Sequence, residues 1–202
     1  MFTQDFKCKS YVRVLHASPG APAVDVYVNN QKIASDLQFK NLSCYEGVKP
    51  GNYTVKVFAA GQTVNPILRR NVTIKDNSAY TIAAINKPQN LDLKVFNDPV
   101  IQNRPARNTA FIRIAHLSPN APAVDVKLNR RELFNNVRYK DITRYRGVNP
   151  GTYNLNIFAD NQRVLSKNNI VLQSGFYYTS YILGLVNDKP PLQIIVPIDG
   201  LY

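Results

Sequence analysis

The sequence predicts an all-β protein made of two tandem antiparallel β-sandwich domains, of immunoglobulin-like or transthyretin-like kind. Three observations predict it. The segment Arg13-Val-Leu-His16-Ala-Ser18-Pro-Gly-Ala-Pro22-Ala-Val-Asp25-Val recurs 100 residues later as Arg113-Ile-Ala-His116-Leu-Ser118-Pro-Asn-Ala-Pro122-Ala-Val-Asp125-Val. The register holds without a gap from Tyr11/Phe111 to Val64/Val164, and 20 of the first 50 aligned pairs are identical. That period is the size of a small domain and too long for a solenoid unit. The composition is rich in Val, Ile, Tyr, Phe, Thr and Asn, and the 13 Pro sit in turn-like clusters, which favours strands joined by turns. Finally, about seven short alternating segments per copy are punctuated by turn signals, the pattern of a small sandwich.

The elements of one copy follow in order. Tyr11–His16 alternates, with Val12, Val14 and His16 on the core side and Tyr11, Arg13 and Leu15 on the other. Ala17–Ala23 holds two Pro and reads as a loop. Val24, Val26 and Val28 form a second strand whose core face copy 2 keeps aliphatic, while Tyr27 becomes Lys127. Asn29-Asn30 suits a two-residue hairpin turn into Gln31–Ala34, because Asn tolerates positive φ. Phe39–Tyr45 reads as a further strand. Lys49-Pro50-Gly51-Asn52 reads as a type II turn, kept as Asn149-Pro150-Gly151-Thr152, and leads into Tyr53–Phe58. Ala60-Gly61 turns the chain. Strands at Val72–Ile74, Tyr80–Ile85 and Leu91–Val95 complete the copy.

This divides the chain into an N-terminal arm (1–10), repeat 1 (11–96), a Pro-containing polar linker (97–108), repeat 2 (109–196) and a C-terminal tail (197–202). A domain of this size buries a core without covalent staples. Net charge is +12, split as +5 up to Asp98 and +7 after it, so both halves are basic. Such a surface attracts anionic polymers, glycans or membranes. No apolar run approaches the length that crosses a bilayer. Met1–Lys9 has no apolar core or small-residue cleavage site, so the sequence reads as lacking a secretory signal and as made in the cytoplasm, with a spore or cell surface still open.

The chemistry-bearing residues are few. His16 and His116 are the only histidines and are equivalent. With Ser18 and Asp25, or Ser118 and Asp125, they could be assembled into a hydrolytic set. However, Ser-Pro after a strand initiates turns, and no nucleophile elbow of the Gly-x-Ser-x-Gly kind is present. A His on a core-side face beside Val12 and Val14 reads first as a structural imidazole. Arg13 and Asp25, repeated as Arg113 and Asp125, would form a cross-strand ion pair if their strands are neighbours. The six residues Arg13, His16, Ser18, Asp25, Arg113 and His116, with Ser118 and Asp125, are therefore read as repeat-motif structure. No Asp-x-Asp run or CxxC spacing supplies a metal site, and no cofactor is expected. Cys8 and Cys44 have no counterparts in copy 2, and are either free thiols or a bridge within or between chains. Tyr45, Tyr53 and Phe58 read as packing residues.

Copy 2 carries a basic group that copy 1 lacks: Arg130, Arg131, Arg138, Lys140, Arg144 and Arg146. It is a solvated face or a patch for an anionic partner. No RNA-binding signature accompanies it, so no specific nucleic-acid partner is expected.

The long motif from Arg13 to Asn29, with the later Pro50-Gly-x-Tyr-x-Val-x-Val-Phe58, resembles domain of unknown function family 4397. The resemblance spans nearly the whole chain, in both copies. It implies bacterial or archaeal β-sandwich modules, often in tandem and often on secreted or cell-surface proteins, without an assigned chemistry. Short members without signals resemble proteins of spore-forming bacteria. Together these readings give a non-catalytic structural or interaction protein that self-assembles, or meets another surface or coat protein, at a spore or cell surface. The alternative is a module that binds glycans or other anionic polymers through the basic face of repeat 2.

Overall fold

The computed structural model describes residues 10–100 and 108–200. Repeat 1 runs β1 (Ser10–His16), β2 (Val24–Val28), β3 (Gln31–Leu37), β4 (Glu46–Val48), β5 (Gly51–Ala59), β6 (Leu68–Ile74), β7 (Ala79–Ile85) and β8 (Asp92–Asp98). Repeat 2 runs β9 (Ala110–His116), β10 (Val124–Leu128), β11 (Arg131–Val137), β12 (Arg146–Val148), β13 (Gly151–Ala159), β14 (Gln162–Leu172), β15 (Tyr177–Leu183), β16 (Gln193–Ile195) and β17 (Ile198–Asp199). Each repeat is a sandwich of two sheets. In repeat 1 the orders are β4-β1-β7-β8 and β3-β2-β5-β6; in repeat 2 they are β12-β9-β15-β16, with β17 also on β15, and β11-β10-β13-β14.

Alternation fills each sandwich. Val12, Val14, Tyr80 and Ile82 from the first sheet meet Val24, Val26, Val55 and Val57 from the second. Repeat 2 repeats this with Ile112, Ile114, Val126, Leu155 and Ile157. The sheets are not wholly antiparallel: β1 pairs β7, and β9 pairs β15, in parallel.

A third apolar cluster belongs to neither sandwich. Leu15, Ala17, Ala83, Ile85 and Phe96 of repeat 1 pack with Ala115, Leu117, Tyr181 and Leu183 of repeat 2. The two sheets containing β1 and β9 are thus buried on both faces and lie back to back. We call them the inner sheets. β1 is therefore buried at every position except the half-buried Tyr11, where a sheet with one wet face would alternate. Leu15 and Arg13, assigned by alternation to the side away from the sandwich core, point into this second interior.

The inner faces match by exchanging large and small residues. Leu15 corresponds to Ala115, and Ala17 to Leu117. The registers Tyr11↔Ala79 and Phe111↔Tyr177 equate Ala83 with Tyr181. The registers Ala79↔Asp98 and Tyr177↔Asp199 likewise equate Phe96 with Pro197. Phe96 and Tyr181, the large members of those two pairs, meet with ring centroids 6.3 Å apart. In a close-packed interior a small residue in one copy leaves room that a large residue of the other copy fills, as the Tyr181 ring does beside Phe96.

Three local expectations are corrected. Phe39–Tyr45 is not a strand. Lys40 takes φ 69° and only an isolated bridge, Leu15↔Leu42, survives, because this segment carries the chain from the outer to the inner sheet. Gly51 takes φ 154°, not the roughly +80° of a type II turn. The linker and tail readings also yield residues to the sheets: Asn97 and Asp98 end β8, and Ile198-Asp199 form β17.

Candidate functional site

The duplicated motif is built into the scaffold at each of its polar positions. His16 ends β1 and is fully buried. Its Nδ1 accepts the Ser18 backbone N–H at 3.3 Å, which leaves Nε2–H to donate to the Pro22 carbonyl at 2.9 Å. His116 does the same with Ser118 and Pro122. The imidazole thereby ties both ends of the proline loop, whose Pro residues supply few donors of their own. Burial holds both imidazoles below their ordinary pKa; at His116 the Asp141 carboxylate opposes this. The Ser18 hydroxyl does not face the ring. It donates to the Asn86 carbonyl at 2.6 Å, and Ser118 donates to the Gly184 carbonyl at 2.7 Å.

Asp25 lies in the other sheet and does not meet Arg13, so the cross-strand ion pair expected from the sequence is not formed. The short loop between β1 and β2 crosses from inner to outer sheet instead of closing a hairpin. The Asp25 carboxylate accepts the Asp36 N–H at 2.8 Å, at the register shift where β3 bulges against β2. It also accepts Lys32 Nζ at 2.9 Å and the Gly61 N–H at 3.3 Å. Asp125 keeps the bulge contact through the Asn136 N–H at 2.8 Å. Asp36 and Asn136 have φ 47° and 50°, a left-handed conformation that the carboxylate anchors.

Arg13 crosses to the other repeat. Its Nη2 donates to Asp199, its Nη1 to the Ile198 carbonyl at 2.9 Å, and its Nε to Thr81 Oγ1 at 2.8 Å. Arg113 mirrors this with Asp98 at 2.6 Å, the Asn97 carbonyl at 2.7 Å and Thr179 Oγ1 at 2.8 Å. Each carboxylate is completed by its own repeat. Thr81 and Tyr45 hydroxyls donate to Asp98 at 2.5 and 2.7 Å, and Thr179 and Tyr145 to Asp199 at 2.5 and 2.7 Å. Each guanidinium also lies over the ring of its own Tyr, 4.5 Å for Arg13 on Tyr45 and 4.4 Å for Arg113 on Tyr145. Burial drives both phenols upward in pKa, so they stay protonated and donate. The result is a buried, charge-balanced cluster on the pseudo-twofold between the repeats.

Sequence reasoning missed Asp98, Asp199, Thr81, Thr179 and the polar role of Tyr45 and Tyr145. The signal existed. Asn97-Asp98 closes the last strand of repeat 1 and Ile198-Asp199 forms that of repeat 2, but their offset of 101 falls outside the gapless register.

The six basic residues singled out in repeat 2 run from the β10–β11 turn to β12: Arg130 in the turn, Arg131 opening β11, Arg138, Lys140 and Arg144 in the β11–β12 connection, and Arg146 opening β12. Arg130, Arg131 and Arg146 line one cleft of about 670 Å³, with Glu132 and Tyr153. Arg146 also stacks over Phe134 at 5.1 Å. Arg138, Lys140 and Arg144 sit on the connecting loop outside that cleft, Lys140 over the Tyr139 ring at 5.5 Å. Cys44 is exposed and free, and Cys8 lies outside the described residues. Among the described residues no group of His, Cys, Asp and Glu is disposed to hold a metal, and no helix is long and apolar enough to cross a membrane.

The model of the domain of unknown function family DUF4397 matches residues 10–127 and 110–199, so the chain belongs to that family and carries it twice. No curated protein matches the chain. Among solved structures it is similar to a proposed cell adhesion protein of Bacteroides ovatus ATCC 8483, at 11% identity and TM-score 0.26, over 95% of this chain and 96% of that one. A second, from Bacteroides fragilis NCTC 9343, gives 10% identity and TM-score 0.21 over 94% and 96%. At these values the likeness carries no functional inference.

Two outcomes follow from the buried polar groups. Asp199→Ala strands the Arg13 guanidinium and lowers unfolding free energy by about 3–5 kcal/mol. Adding Arg13→Ala costs less than the sum of the single changes, measured by urea midpoints in a double-mutant cycle. The histidines give a pH dependence. Their folded pKa lies below the unfolded value near 6.5, so the unfolded chain takes up protons first. Their contribution is full above that value and is lost as pH falls from about 6.5 toward the folded pKa. Melting temperature therefore falls between pH 7 and 5, and the slope flattens in His16→Gln/His116→Gln; an unchanged slope would assign it to other groups.

Proposed function

We propose that this chain is a non-catalytic interaction protein, a two-sandwich unit that self-assembles or meets a coat partner at a spore or cell surface. The observation that carries this is where its exposed apolar residues lie. Among the described residues the exposed large hydrophobics are Val64, Ile67, Val164 and Val171. Val64 and Ile67 lead into β6, and Val164 and Val171 lie on β14. β6 and β14 are the equivalent open edges of the two outer sheets. An edge strand bearing apolar side chains is a template for pairing with a second chain, and each repeat carries such an edge. The proline-loop hydroxyls and imidazoles, which a hydrolase would need free, are engaged with backbone groups. The protein is expected to associate reversibly with increasing concentration, with and without reductant. Val164→Lys/Val171→Lys shifts it toward monomer without lowering its melting temperature. A strictly monomeric wild type by sedimentation at high concentration would remove the reading.

A second reading is favoured by the arginine-lined cleft. Arg130, Arg131 and Arg146 converge there, where repeat 1 has Asn30, Gln31 and Glu46. That cleft fits an anionic polymer or glycan. Arg131→Glu/Arg146→Glu is expected to weaken binding of polyphosphate, used as a generic polyanion, by about tenfold or more. Indifference to that reversal would dispose of it.

A further inference from the structure

A second cleft of about 670 Å³ adjoins the arginine-lined one and shares Asn129 and Arg130 with it. It lies on the outward face of β10, β13 and β14, lined by Lys127, Arg130, Arg163, Asn129, Asn154 and Asn168. Its hydrogen-bonding character is one-sided. The Asn154 backbone N–H donates to Asn129 Oδ1 at 2.8 Å, and the Asn169 N–H donates to Asn154 Oδ1 at 3.1 Å. A backbone N–H can only donate, so these bonds fix which end of each amide is oxygen, and both residues line the cleft. Asn168 lies 3.0 Å from Ser166 Oγ, whose single proton goes to Asn156 Oδ1. Asn156 is used at both ends, by Ser166 at 2.9 Å and by the Asn129 carbonyl at 3.1 Å. The Asn129 and Asn154 oxygens are thus engaged with the backbone, and the face offers amide groups, an ammonium and two guanidinium groups.

Repeat 1 shows that the sandwich does not require this. Asn29 caps Thr54 N–H there in the same way, at 2.8 Å. Its outer face is built differently: Tyr27, Asn30, Thr54 and Thr63 stand where repeat 2 has Lys127, Arg130, Asn154 and Arg163, and its own cations, Lys56 and Arg69, stand in register with Tyr27 where repeat 2 has Asn156 and Ser166. Both copies cover the same ring, Phe58 by the edge of Tyr27 at 5.4 Å and Phe158 by Lys127 at 4.7 Å.

We propose that this outer face of repeat 2 is a binding site for an acidic polysaccharide, whose chain continues over the β10–β11 hairpin tip into the arginine-lined cleft. The ligand must be rich in acceptors and negatively charged, as carboxylated or sulfated sugars are, and sugar hydroxyls can accept as well as donate. A nucleic acid is disfavoured because base stacking needs an open aromatic face, and Lys127 covers Phe158. An acidic peptide is disfavoured because the Asn129 and Asn154 oxygens, which its backbone N–H groups would need, are already engaged with this chain's own backbone. The proposal rests on the reading of the basic edge as a polyanion surface and adds to it a site and a ligand class.

The test is calorimetric titration with oligogalacturonate at fixed ionic strength, beside poly-glutamate and single-stranded DNA of matched charge. Lys127→Gln/Arg163→Gln and, separately, Asn154→Asp are each expected to weaken oligogalacturonate binding by about tenfold or more. Asn154→Asp keeps the acceptor for the Asn169 N–H, so its melting temperature serves as the folding control. The two comparison polymers bind at least about tenfold more weakly than the sugar. Loss of binding in Arg131→Gln/Arg146→Gln but in neither outer-face variant would overturn the outer site and leave the basic-edge reading standing. DNA or poly-glutamate binding as tight as the sugar would overturn the ligand class. No binding by the wild type would overturn both.

Discussion

The crossed pairs Arg13–Asp199 and Arg113–Asp98 are the constraint on which the arrangement of the molecule depends. All four side chains are buried at the junction of the inner sheets. A charge placed there is costly unless another repeat answers it. Each Arg begins in the first strand of its own copy and ends on the last strand of the other, so neither inner face is satisfied alone. Asp98 and Asp199 each receive a guanidinium from across the junction and two hydroxyls from their own side. The cluster therefore fixes the orientation of two sandwiches that hydrophobic contact alone would leave free to slide.

The apolar part of the junction adds pairing specificity. Where the ionic cluster is symmetric, the packing is not: Leu15, Ala17, Ala83 and Phe96 oppose a face whose equivalents are Ala115, Leu117, Tyr181 and Pro197. Phe96 meets Tyr181 where a second repeat 1 face would offer Ala83, so two copies of that face would leave a gap there. The exchange of sizes makes each face fit the other better than itself, which sets repeat 1 against repeat 2. One polar atom is left over. Tyr181 Oη is buried and has no hydrogen-bond partner among the described residues, although its ring fills the space opposite Ala83 and Phe96. Packing at that position outweighs the hydroxyl.

Much of this was written locally. Alternation in β1, β2 and β5 reads directly as sandwich strands, and the duplicated motif gives two domains. The inner-sheet strands were legible as elements but not as doubly buried ones. Seen alone, Leu15 facing away from Val14 looks like an exposed residue of a one-sided sheet. Only a second copy pressed against it explains why that face is apolar too. The size exchange was present in the motif itself, as Leu15/Ala115 and Ala17/Leu117, and its meaning depends on a contact no local rule supplies. Arg13 was assigned to the wrong carboxylate for a related reason. A Pro-rich loop of this length can close a hairpin or cross between sheets, and here it crosses, taking Asp25 to cap a bulge.

The duplication also separates scaffold from surface. Residues that both copies keep, His16/His116, Ser18/Ser118, Arg13/Arg113 and Asp25/Asp125, all bond to the backbone or across the junction. Their retention follows from geometry common to two sandwiches. What repeat 2 alone carries is outside that geometry: Arg130, Arg131 and Arg146 at one edge, and Lys127, Asn154 and Arg163 on the adjoining face. None of these closes a core, caps a bulge shared with repeat 1 or joins the crossed ion pairs. A fold that places two copies of one sandwich back to back leaves two outer faces free to differ, and they do: Tyr27, Lys56 and Arg69 share a row in repeat 1 where Lys127, Asn156 and Ser166 share it in repeat 2. That difference in arrangement, with the cleft on the repeat 2 face, favours a ligand there that the outer face of repeat 1 does not take.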